Sequence, residues 1–571
     1  MEPNILLRYN NDQQVNPASA KMTFFEELYI DAKTESVEKG KRISLQIHPK
    51  QDVVINELTI KLSYNFQATD QIFCNGFQSQ TESLVYKPNE SLPSVGSLAG
   101  SKWHSFGNYR HPHLKDLSAN LHSWTYSYIK RADDTCLLIA SLSENTGFTL
   151  IKHCCNLNEI KITWEAADFK LAHSFPAMDV IVLEGREKQV FDEYSKLMNI
   201  ESLENFSPLR SCIAVDTDLD EDFLQKQTTE LLEQAVPIDM VLVNEGYPIA
   251  LGDWLTGSNN ATRGIPAASS IIRKLDLKPG IQIAPFLCSS ESDFYKNKKQ
   301  CLLKDHGGEL VKLKSEAAPG GVFYVLDFYN NAVTDYLNSM LTALSQQWSY
   351  NYLLLDYLHA VCLYPPAHKT MGQVMCEALD FINGICPKAS LLTASVPLGA
   401  AFGRVAYCEL AGFPVNAWKS TWLSWNKVRE RRTALANIPT QLNRRQLNQR
   451  MFLSSPSLLI SGDTKSRYSF NQQQTLLLLN SICRAGFIIS EKGNTESSGE
   501  QTSEYQQALF DQFANIHSVK QLSPNVLQVP FSNNGKEWIA YANLQRSKAR
   551  LSHQGRPFEL ESCESIILQK R

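Results

Sequence analysis

The sequence predicts an α/β protein with a central (β/α)8 barrel, preceded by an antiparallel β-sandwich and followed by a small β-domain. Three observations support this prediction. Runs of alternating apolar and polar residues fill positions 40–200, apolar strands then alternate with helical patterns, and alternation returns after residue 525. The chain of 571 residues is long enough for several domains, because one domain commonly takes about 150 residues.

Composition and charge restrict the possible functions. Hydrophobic residues make up 43% of the chain and charged residues 20%, which excludes collagen-like and globally disordered proteins. The formal net charge of −4 gives no general attraction to nucleic acid or to an anionic membrane. The most apolar stretches are interrupted by proline or polar residues, so no membrane span is expected. We therefore expect a soluble globular protein that recognises its partners locally.

Cysteine usage and the first residues indicate the compartment. The thirteen cysteines are an odd number without a repeated spacing, which suits reduced, buried thiols better than a disulfide framework. The N-terminal sequence Met-Glu-Pro-Asn lacks the basic and apolar regions of a secretory signal. The sequence therefore predicts a cytoplasmic protein and leaves its oligomeric state open.

The first predicted domain covers residues 1–205. Segments such as Arg42–Ile47 and Glu57–Leu62 alternate apolar and polar residues and are separated by turn residues. This pattern is typical of strands with one buried face, so we expect an antiparallel β-sandwich here.

The second predicted domain covers residues 206–492. Strands separated by helical patterns predict a parallel sheet, because parallel strands need long crossover connections. Eight strands are predicted at Cys212–Val215, Met240–Asn244, Gly280–Phe286, Phe323–Asp327, Tyr352–Asp356, Leu391–Val396, Tyr407–Leu410 and Leu458–Ser461. Helices are predicted at Asp222–Ala235, Ala332–Trp348, Met371–Ile385 and Asn471–Arg484. Closure of eight such units into a barrel is the economical arrangement.

The third predicted region covers residues 493–571. Residues 493–504 are rich in Ser, Thr, Gly and Glu and are predicted to be a linker. A short helix is predicted near 505–517, and alternation at 525–529 and 538–542 predicts a small C-terminal β-domain.

In a (β/α)8 barrel the chemistry takes place at the carboxyl ends of the strands, so polar residues that follow each strand are the candidates. They are Asp216, Asn244, Glu245, Asp253, Asp327, Asp356 and Glu409. Aromatic residues near the same ends are Tyr247, Trp254, Tyr329, Tyr357, Phe413 and Trp418. Aromatic faces stack on sugar rings while carboxylates bond hydroxyls, so this mixture favours a saccharide ligand.

Some of these carboxylates have a simpler explanation. Asp216 and Asp327 each end a strand where a helix begins, which is also the position of an N-cap. Asp356 differs, because it is a single charge within an apolar strand, where burial without a purpose is costly. The sequence has no zinc-ligand spacing, serine-nucleophile elbow or phosphate-binding loop, so no metal and no cofactor are predicted.

Several short segments, in their order along the chain, match the motifs of a known family. They are 75–79 (NGFQS), 243–247 (VNEGY), 252–254 (GDW), 280–287 (GIQIAPFL), 324–327 (YVLD), 352–357 (YLLLDY) and 397–399 (PLG). Together they resemble the α-galactosidase (melibiase) clan of glycoside hydrolases over most of the chain. The resemblance implies a retaining glycosidase with Asp356 as the nucleophile, in which a second carboxylate protonates the leaving oxygen.

The chain departs from that clan at several positions where the resemblance implies chemistry. The position of a lysine two residues before the nucleophile is Leu354, and the acid/base position is Phe413. Glu409 stands where the clan has an arginine, and Asn244 with Glu245 replaces an Asp-Asp pair that binds sugar hydroxyls.

Two hypotheses follow from these departures. The first is an α-galactosidase-like retaining enzyme in which Glu409, or alternatively Glu245, supplies the proton, since neighbouring carboxylates keep one of them protonated. In this hypothesis Asn244, Glu245, Asp253, Trp254, Asp327, Phe413 and Trp418 bind the substrate. The second is a catalytically degenerate relative that binds a carbohydrate or a protein without turnover. An unrelated activity on the same barrel stays open as well.

Overall fold

The structure is a computed structural model. It describes residues 3–10, 12–17, 22–24, 27–93, 121–200, 206–215, 238–256, 264–314, 322–412, 433–456, 458–460, 468–490, 514–533 and 535–570, and the single positions 203, 222, 225, 226, 229 and 418. Most of the predicted helix at 222–235, the whole predicted linker at 493–504, and the candidates Asp216 and Phe413 lie outside these residues.

The N-terminal part consists of two antiparallel sheets, as the alternating pattern predicts. Its strands are β1 (Asn4–Tyr9), β2 (Asp12–Pro17), β3 (Met22–Phe24), β4 (Leu28–Val37), β5 (Gly40–Pro49), β6 (Val53–Ser63), β7 (Gln71–Cys74), β8 (Leu84–Tyr86), β9 (Leu121–Trp124), β10 (Tyr126–Lys130), β11 (Thr135–Ser141), β12 (Thr149–Cys154), β13 (Glu159–Trp164), β14 (Phe169–Leu171) and β15 (Phe175–Arg186). The first strand begins well before residue 40, where the prediction placed the start of alternation.

The two sheets pack around a common core. One has the strand order β2-β1-β6-β13-β12-β9, with β14 on β6, and the other has the order β3-β4-β5-β15-β11-β10-β7-β8. Buried side chains of both sheets, such as Ile60 and Ile162 from one and Ile47 and Ile139 from the other, belong to one apolar cluster. This is a sandwich, in which each strand turns alternate residues inward.

The central part contains a parallel sheet and a small antiparallel one. The parallel strands are β16 (Ser211–Val215), β17 (Met240–Val243), β18 (Lys278–Ile283), β22 (Tyr352–Leu355), β23 (Ser390–Thr393), β24 (Tyr407–Cys408), β25 (Leu453–Ser454), β26 (Leu458–Ile460) and β27 (Phe487–Ser490). The antiparallel strands are β19 (Leu287–Ser289), β20 (Lys312–Lys314) and β21 (Val322–Val325). The parallel sheet runs in the order β25-β24-β23-β22-β18-β17-β16-β27-β26.

The two outermost strands of the parallel sheet come from one short stretch of chain. Strand β25 pairs with β24, whereas β26, which starts only four residues after β25 ends, pairs with β27. The stretch 453–460 therefore borders both ends of the row formed by the other seven strands.

The parallel sheet has an apolar layer on each face. Alternate residues of a strand point to opposite faces, so Ile213, Val241 and Leu353 lie on one face and belong to the largest core cluster. Leu242 and Leu354 lie on the other face, in a separate small cluster drawn from seven strands of the sheet. We call this second face the inner face of the sheet.

One strand prediction in this region was wrong, and one strand was not predicted. The segment Phe323–Asp327 forms β21, which pairs antiparallel with β19 and β20 and does not join the parallel sheet. The segment Phe487–Ser490 does join it as β27, paired in parallel with β16, but the sequence analysis assigned no strand there. The pattern identified a strand in the first case, but an apolar run does not show whether the strand pairs in a parallel or an antiparallel sheet.

Eight helices accompany the strands. They are α1 (Glu187–Met198), α2 (Gly264–Lys274), α3 (Asp293–Asn297), α4 (Asn331–Thr342), α5 (Met371–Ile385), α6 (Leu398–Ala401), α7 (Ala434–Arg444) and α8 (Phe470–Ile482) within the described residues. Thr370 and Ser469 cap α5 and α8 with their hydroxyl groups, which accept the backbone N–H bonds of Gln373 and Gln472. No described helix combines the length and the apolar character that a membrane span requires.

The C-terminal strands form a small β-unit that shares a core with the central part. They are β28 (Asn515–Ile516), β29 (Lys520–Ser523), β30 (Val526–Asn533), β31 (Lys536–Asn543), β32 (Ala549–His553), β33 (Arg556–Leu560) and β34 (Ser565–Gln569). Val529 and Phe531 of β30 lie in one apolar cluster with Leu479 and Ile482 of α8. The predicted C-terminal strands are present, and their core is continuous with the helices before them.

Candidate functional site

Asp356 follows β22 directly, and its carboxylate accepts hydrogen bonds from Ser395, Tyr357 and Gln282. The Ser395 hydroxyl and the Tyr357 backbone N–H both donate to its Oδ1, at 2.8 Å and 2.6 Å. The Gln282 side-chain amide donates to its Oδ2 over 3.4 Å, a long distance for a hydrogen bond. Ser395 and the backbone therefore orient the carboxylate through its Oδ1 atom.

The backbone beside Asp356 is strained at two positions. Tyr357 and Ser395 both have left-handed φ values, 53° and 54°, which side chains other than glycine adopt at a cost of about 1–3 kcal/mol. Ser395 follows β23, the neighbour of β22, and is almost fully buried. The residue with this strained backbone is thus the one whose hydroxyl group donates to the Asp356 carboxylate. Such strain concentrates at functional sites in proteins.

Glu409 lies on the same rung of the sheet as Asp356. Leu355 pairs with Thr393, and Thr393 pairs with Cys408, so the residues that follow these three, Asp356, Ala394 and Glu409, form the next rung. The backbone bond from Glu409 N–H to the Thr393 carbonyl, 3.0 Å long, continues this ladder.

The small side chain of Ala394 separates the two acidic residues. Asp356 and Glu409 come two residues after Leu354 and Tyr407 of the inner face, so both continue that face. Two strand spacings of about 4.8 Å lie between their backbones. The structure thus places two carboxylates at the carboxyl ends of β22 and β24, the strands on either side of β23, with no bulky side chain between them.

Glu409 also receives a contact from the N-terminal sandwich. Its side chain is 1% exposed, and the Gln80 amide donates to its Oε2 at 3.0 Å. Gln80 lies in the segment 75–83, which we call the docking loop. The backbone N–H of Ser79 in the same loop bonds the Val396 carbonyl at 2.8 Å. The sandwich therefore contributes a side chain to the carboxyl end of the parallel sheet.

Arg444, the last residue of α7, fixes the docking loop in position. Its guanidinium group is completely buried and donates to the side chains of Asn75 and Ser83 at 2.9 and 2.7 Å. It also donates to the backbone carbonyls of Gln78 and Leu410, at 3.2 and 3.0 Å. Because five rigid donors match several acceptors at once, one arginine joins the loop, the helix and the segment after β24.

The remaining candidates near the inner face are Asn244 and Glu245. Asn244 follows β17 two residues after Leu242, and it therefore continues the inner face, whereas Glu245 is the next residue in the chain. Both side chains are half-buried. Gln282 of β18 lies between β17 and β22 in the sheet and donates to Asp356. These residues form a polar end of the inner face.

Asp253 and Trp254 lie next to each other but have different surroundings. Both Asp253 oxygens accept the backbone N–H of Asp293, at 3.2 and 2.9 Å, so this carboxylate supports the start of α3. Trp254 is completely buried and packs against Tyr247, whose hydroxyl donates to the Trp254 carbonyl at 3.1 Å. Burial raises the pKa of Tyr247 well above its usual value. Both aromatic rings are core residues in this structure.

Two further candidates lie away from the carboxylate pair. Asp327 follows β21 of the antiparallel sheet, and its Oδ1 accepts the Tyr329 backbone N–H at 3.1 Å, as in a local turn. Trp418 is 3% exposed and donates from its ring nitrogen to the Leu544 carbonyl of the C-terminal unit at 3.0 Å. Their polar groups are therefore used in structural contacts.

Sequence reasoning missed Gln80 and Ser395. The segment 75–79 was noted, yet nothing in it indicated that the residue after it contacts Glu409, which is 329 positions later. Ser395 lay inside a predicted strand and not at its end. Left-handed backbone and hydroxyl chemistry at that position have no local sequence signal.

Comparison with solved structures identifies the fold. The chain superposes on the α-galactosidase TtGalA from Thermus thermophilus, in complex with p-nitrophenyl α-D-galactopyranoside, with a TM-score of 0.66 and 18% identity over 94% of this chain and 98% of that one. It superposes on a variant of the GH36 α-galactosidase AgaA from Geobacillus stearothermophilus, in complex with 1-deoxygalactonojirimycin, with a TM-score of 0.61 and 12% identity over 100% and 83% of the two chains.

A third match is the galactosidase domain of the α-galactosidase-sucrose kinase AgaSK, with a TM-score of 0.60 and 12% identity over 99% of this chain and 82% of that one. No family model matches the sequence. The likeness extends over nearly the whole chain, and so the protein has the fold of the GH36 α-galactosidases.

Proposed function

We propose that this protein is a retaining glycoside hydrolase for an α-linked galactoside or a related sugar. The observation that carries the proposal is the pair Asp356 and Glu409, which share one rung and one face at the carboxyl end of the parallel sheet. In barrels of this kind, that end is where the reaction takes place. The fold shared with α-galactosidases supports the sugar class.

The proposed architecture is a closed (β/α)8 barrel between the two β-units. The stretch 453–460 borders both β24 and β27, which gives eight strand positions when β25 and β26 are counted as one. The proposed domains are 1–205, 206–492 and 493–571. In a closed barrel the inner faces of β22 and β24 curve toward a common axis, which brings the two carboxylates closer than their backbones.

In the proposed mechanism Asp356 is the nucleophile. Its Oδ1 is held by Ser395 and the backbone, and in this proposal Oδ2 attacks the anomeric carbon. Glu409 donates its proton to the leaving glycosidic oxygen and then takes a proton from the water that releases the sugar. Gln80 positions Glu409 through its amide. This assignment requires the carboxyl groups to lie about 5–5.5 Å apart during the reaction.

The proposed substrate-binding residues are Asn244, Glu245 and Gln282, whose amide and carboxyl groups bond sugar hydroxyls. Phe413, four residues after Glu409, is proposed to stack on the sugar ring. Asp253, Asp327, Trp254 and Trp418 are not part of this set. Asp253 supports the start of α3, Asp327 holds a local turn, and both tryptophans lie in the core.

A binding protein without turnover is the second candidate, and one observation favours it. Leu354 packs into the inner apolar cluster at 6% exposure, at the position where the resemblance implies a lysine beside the nucleophile. A leucine at that position brings no positive charge to the neighbourhood of Asp356. Only interactions that are stronger in the transition state than in the ground state accelerate a reaction, and the loss of one such group favours binding without turnover.

The test is hydrolysis of p-nitrophenyl α- and β-glycosides between pH 4 and 8. The wild-type protein is compared with Asp356→Asn and Glu409→Gln, and with Asp380→Asn as a control carboxylate on α5 that pairs with Arg404. We expect turnover of an α-galactoside that falls by roughly 10³-fold in Asp356→Asn and 10²-fold in Glu409→Gln. The Asp380→Asn protein should keep wild-type rates.

Two outcomes contradict the enzyme proposal. One is an absence of turnover on the whole panel together with sugar binding that Asp356→Asn leaves intact, which identifies the binding protein. The other is full activity in Glu409→Gln, which removes this residue from the mechanism. Proton NMR of the first product decides the stereochemistry, because a retaining enzyme releases the α-anomer first and an inverting enzyme releases the β-anomer.

A further inference from the structure

His359 is a completely buried histidine three residues after Asp356. It belongs to the 3-10 helix Leu358–Cys362, which begins directly after the left-handed residue Tyr357. The four other residues of this helix are part of the largest apolar core cluster. A polar ring in such surroundings is costly unless it is hydrogen-bonded, so the contacts of this ring indicate what it does.

Two groups of His359 contact the same oxygen, the backbone carbonyl of Ser395. The backbone N–H of His359 donates to this oxygen at 3.0 Å, and the ring atom Nδ1 lies 3.1 Å from it. A carbonyl oxygen only accepts hydrogen bonds, so Nδ1 carries a proton in this contact. The histidine therefore holds one backbone oxygen through its main chain and its side chain together.

The residue that His359 holds is the one that orients Asp356. The Ser395 hydroxyl donates to Asp356 Oδ1 at 2.8 Å, and Ser395 has a φ of 54°. A serine keeps a left-handed backbone only where its surroundings impose it. A change of Ser395 to an ordinary φ would move both its carbonyl and its hydroxyl group, so the bonds to His359 favour the conformation that reaches Asp356.

These contacts form a closed ring around the carboxylate. Asp356 accepts from the Ser395 hydroxyl, the Ser395 carbonyl accepts from His359, and His359 follows Asp356 in the chain after Tyr357 and Leu358. Both strained residues of the site, Tyr357 and Ser395, lie in this ring. The ring contains a single imidazole, and its bond joins the two strained segments.

The docking loop holds the same segment from the other side. The backbone N–H of Ser79 donates to the Val396 carbonyl at 2.8 Å, and the Val396 N–H donates to the Ser79 hydroxyl at 3.3 Å. Ser395 therefore lies between a residue bonded to the sandwich and the bonds from His359. The sandwich fixes the next residue in the chain, whereas His359 contacts Ser395 itself.

We propose that His359 is a positioning residue, which holds Ser395 in its left-handed conformation and thereby directs the Ser395 hydroxyl onto Asp356. In this role His359 acts through Ser395 and makes no contact with the sugar. The inference rests on the proposed function, because it concerns the orientation of the carboxylate that attacks the anomeric carbon.

Three substitutions separate the hydrogen bond from the packing of the ring. His359→Asn keeps a donor nitrogen bonded to Cγ, as Nδ1 is, whereas His359→Gln places its nitrogen one bond further out and His359→Leu has none. We expect His359→Leu and His359→Gln to lower kcat by about tenfold or more, because a misplaced catalytic group slows the chemical step. The KM should stay within about threefold, and His359→Asn should keep kcat within about threefold of the wild type.

A double-mutant cycle on kcat tests whether the effect passes through Ser395. In the Ser395→Gly background the hydroxyl group is absent, so His359→Leu should lower kcat by less than about twofold there. A residue that only supports the fold would lower kcat by the same factor in both backgrounds. Steady-state kinetics on the substrate found in the glycoside panel measure all four proteins of the cycle.

His153→Leu is the matched control for the loss of a buried histidine. His153 is 1% exposed, and the Ser127 hydroxyl lies 2.8 Å from its ring, but it belongs to the sandwich. This variant should lower Tm and leave kcat unchanged. If His359→Leu does not fold, the comparison of His359→Gln with His359→Asn carries the test, because both keep a polar amide.

Two kinetic outcomes overturn the positioning role. One is a wild-type kcat in both His359→Leu and His359→Gln, and the other is an equal loss from His359→Leu in the two Ser395 backgrounds. Absence of turnover by the wild-type protein is a failure of the proposed function and is distinct from both.

Crystal structures of the wild type and of His359→Gln then decide the role of the histidine without turnover. We expect Ser395 to leave the left-handed region in the variant, with its hydroxyl group beyond about 3.5 Å from Asp356 Oδ1. An unchanged Ser395 in the variant overturns the inference.

Discussion

Ser395 connects backbone strain with the orientation of a carboxylate. Its hydroxyl donates to Asp356 Oδ1 at 2.8 Å from a residue with φ of 54°. We predict that Ser395→Gly, which removes the hydroxyl but tolerates this φ, lowers kcat about tenfold or more, because a hydrogen bond to a charged group contributes about 1.5–3 kcal/mol. Steady-state kinetics on the substrate found in the glycoside panel measure it, and an unchanged kcat contradicts the positioning role.

His153 makes the stability of the sandwich depend on pH. It is 1% exposed on β12, and the Ser127 hydroxyl lies 2.8 Å from its Nε2. Burial lowers the pKa of His153 to about 3, whereas the unfolded chain has the ordinary value near 6.5. The unfolded state therefore binds the proton first as the pH falls, and stability is lost progressively between pH 6.5 and 3.

The free energy of unfolding, measured by urea denaturation at pH 7 and at pH 5, tests this dependence. One buried histidine accounts for a loss of about 2 kcal/mol over this interval, because each pH unit below 6.5 costs about 1.4 kcal/mol. We predict that His153→Leu reduces the loss by roughly that amount. A variant of the exposed His173, His173→Leu, should keep the wild-type difference, and an equal loss in both variants would exclude His153 as the cause.

Some features of single residues can be predicted from the sequence, and others cannot. Asp356 was predictable, because a single charge in an apolar strand is unusual within the sequence itself. The contacts that orient it were not, because Ser395 and Gln282 are 39 and 74 positions away. Trp418 shows a different limit of the sequence. An aromatic residue near a strand end can stack on a sugar or lie in the core, and the local pattern does not distinguish these two positions.

At the scale of elements, a buried ion pair joins α1 to the turn after α7. Glu187 at the start of α1 contacts Arg445 and Lys130, and the Gln446 amide donates to it at 3.2 Å. Burial alone raises the pKa of Glu187, but the charges of Arg445 and Lys130 outweigh it and hold the pKa at about 2. The pair therefore stabilises the fold above pH 4.5, and this contribution is lost as the pH falls toward 2.

We predict that Glu187→Gln lowers the free energy of unfolding at pH 7 by about 3–5 kcal/mol, because Arg445 is left as an uncompensated buried charge. Urea denaturation at pH 7 measures the change. The exposed pair of Arg550 and Glu559 provides the control, since Glu559→Gln should change the free energy by less than about 1 kcal/mol. Equal small effects of both substitutions would contradict the role assigned to Glu187.

Elements were predicted well where the local pattern decides them. The predicted helix Met371–Ile385 has the observed bounds of α5, because an amphipathic pattern and the capping Thr370 are both local signals. Strand β21 was assigned to the wrong sheet, because its apolar pattern does not distinguish parallel from antiparallel pairing. Strand β27 was not predicted, and its partner β16 lies far along the chain. The docking loop illustrates the same limit, since its position depends on Arg444, 369 residues after Asn75.

At the scale of the whole molecule, the C-terminal β-unit is part of a shared core. Trp418 donates to the Leu544 carbonyl, and Leu476 and Leu479 of α8 pack with Val529 and Phe531 of β30. Removal of the C-terminal strands uncovers this apolar surface. We predict that a chain ending at residue 513 has a lower Tm than the full chain, aggregates, and binds the dye ANS.

Size-exclusion chromatography and ANS fluorescence measure this outcome. Trp418→Phe in the full chain serves as a milder control, since it removes one hydrogen bond and should cost about 1 kcal/mol without aggregation. A monomeric truncated chain with the wild-type Tm would show that the C-terminal unit folds and docks independently.

The pairing of β16 with β27 has a consequence for biosynthesis. Ser211 pairs with Phe487, 276 residues later, whereas the sandwich is complete at Arg186. At about 5–20 residues per second, the ribosome needs roughly 14–55 s between these two strands. During this interval the sandwich can fold, but the nascent parallel sheet exposes an unpaired edge and apolar faces. This surface stays uncovered until β27 leaves the exit tunnel, which makes the emerging chain prone to aggregation during its synthesis.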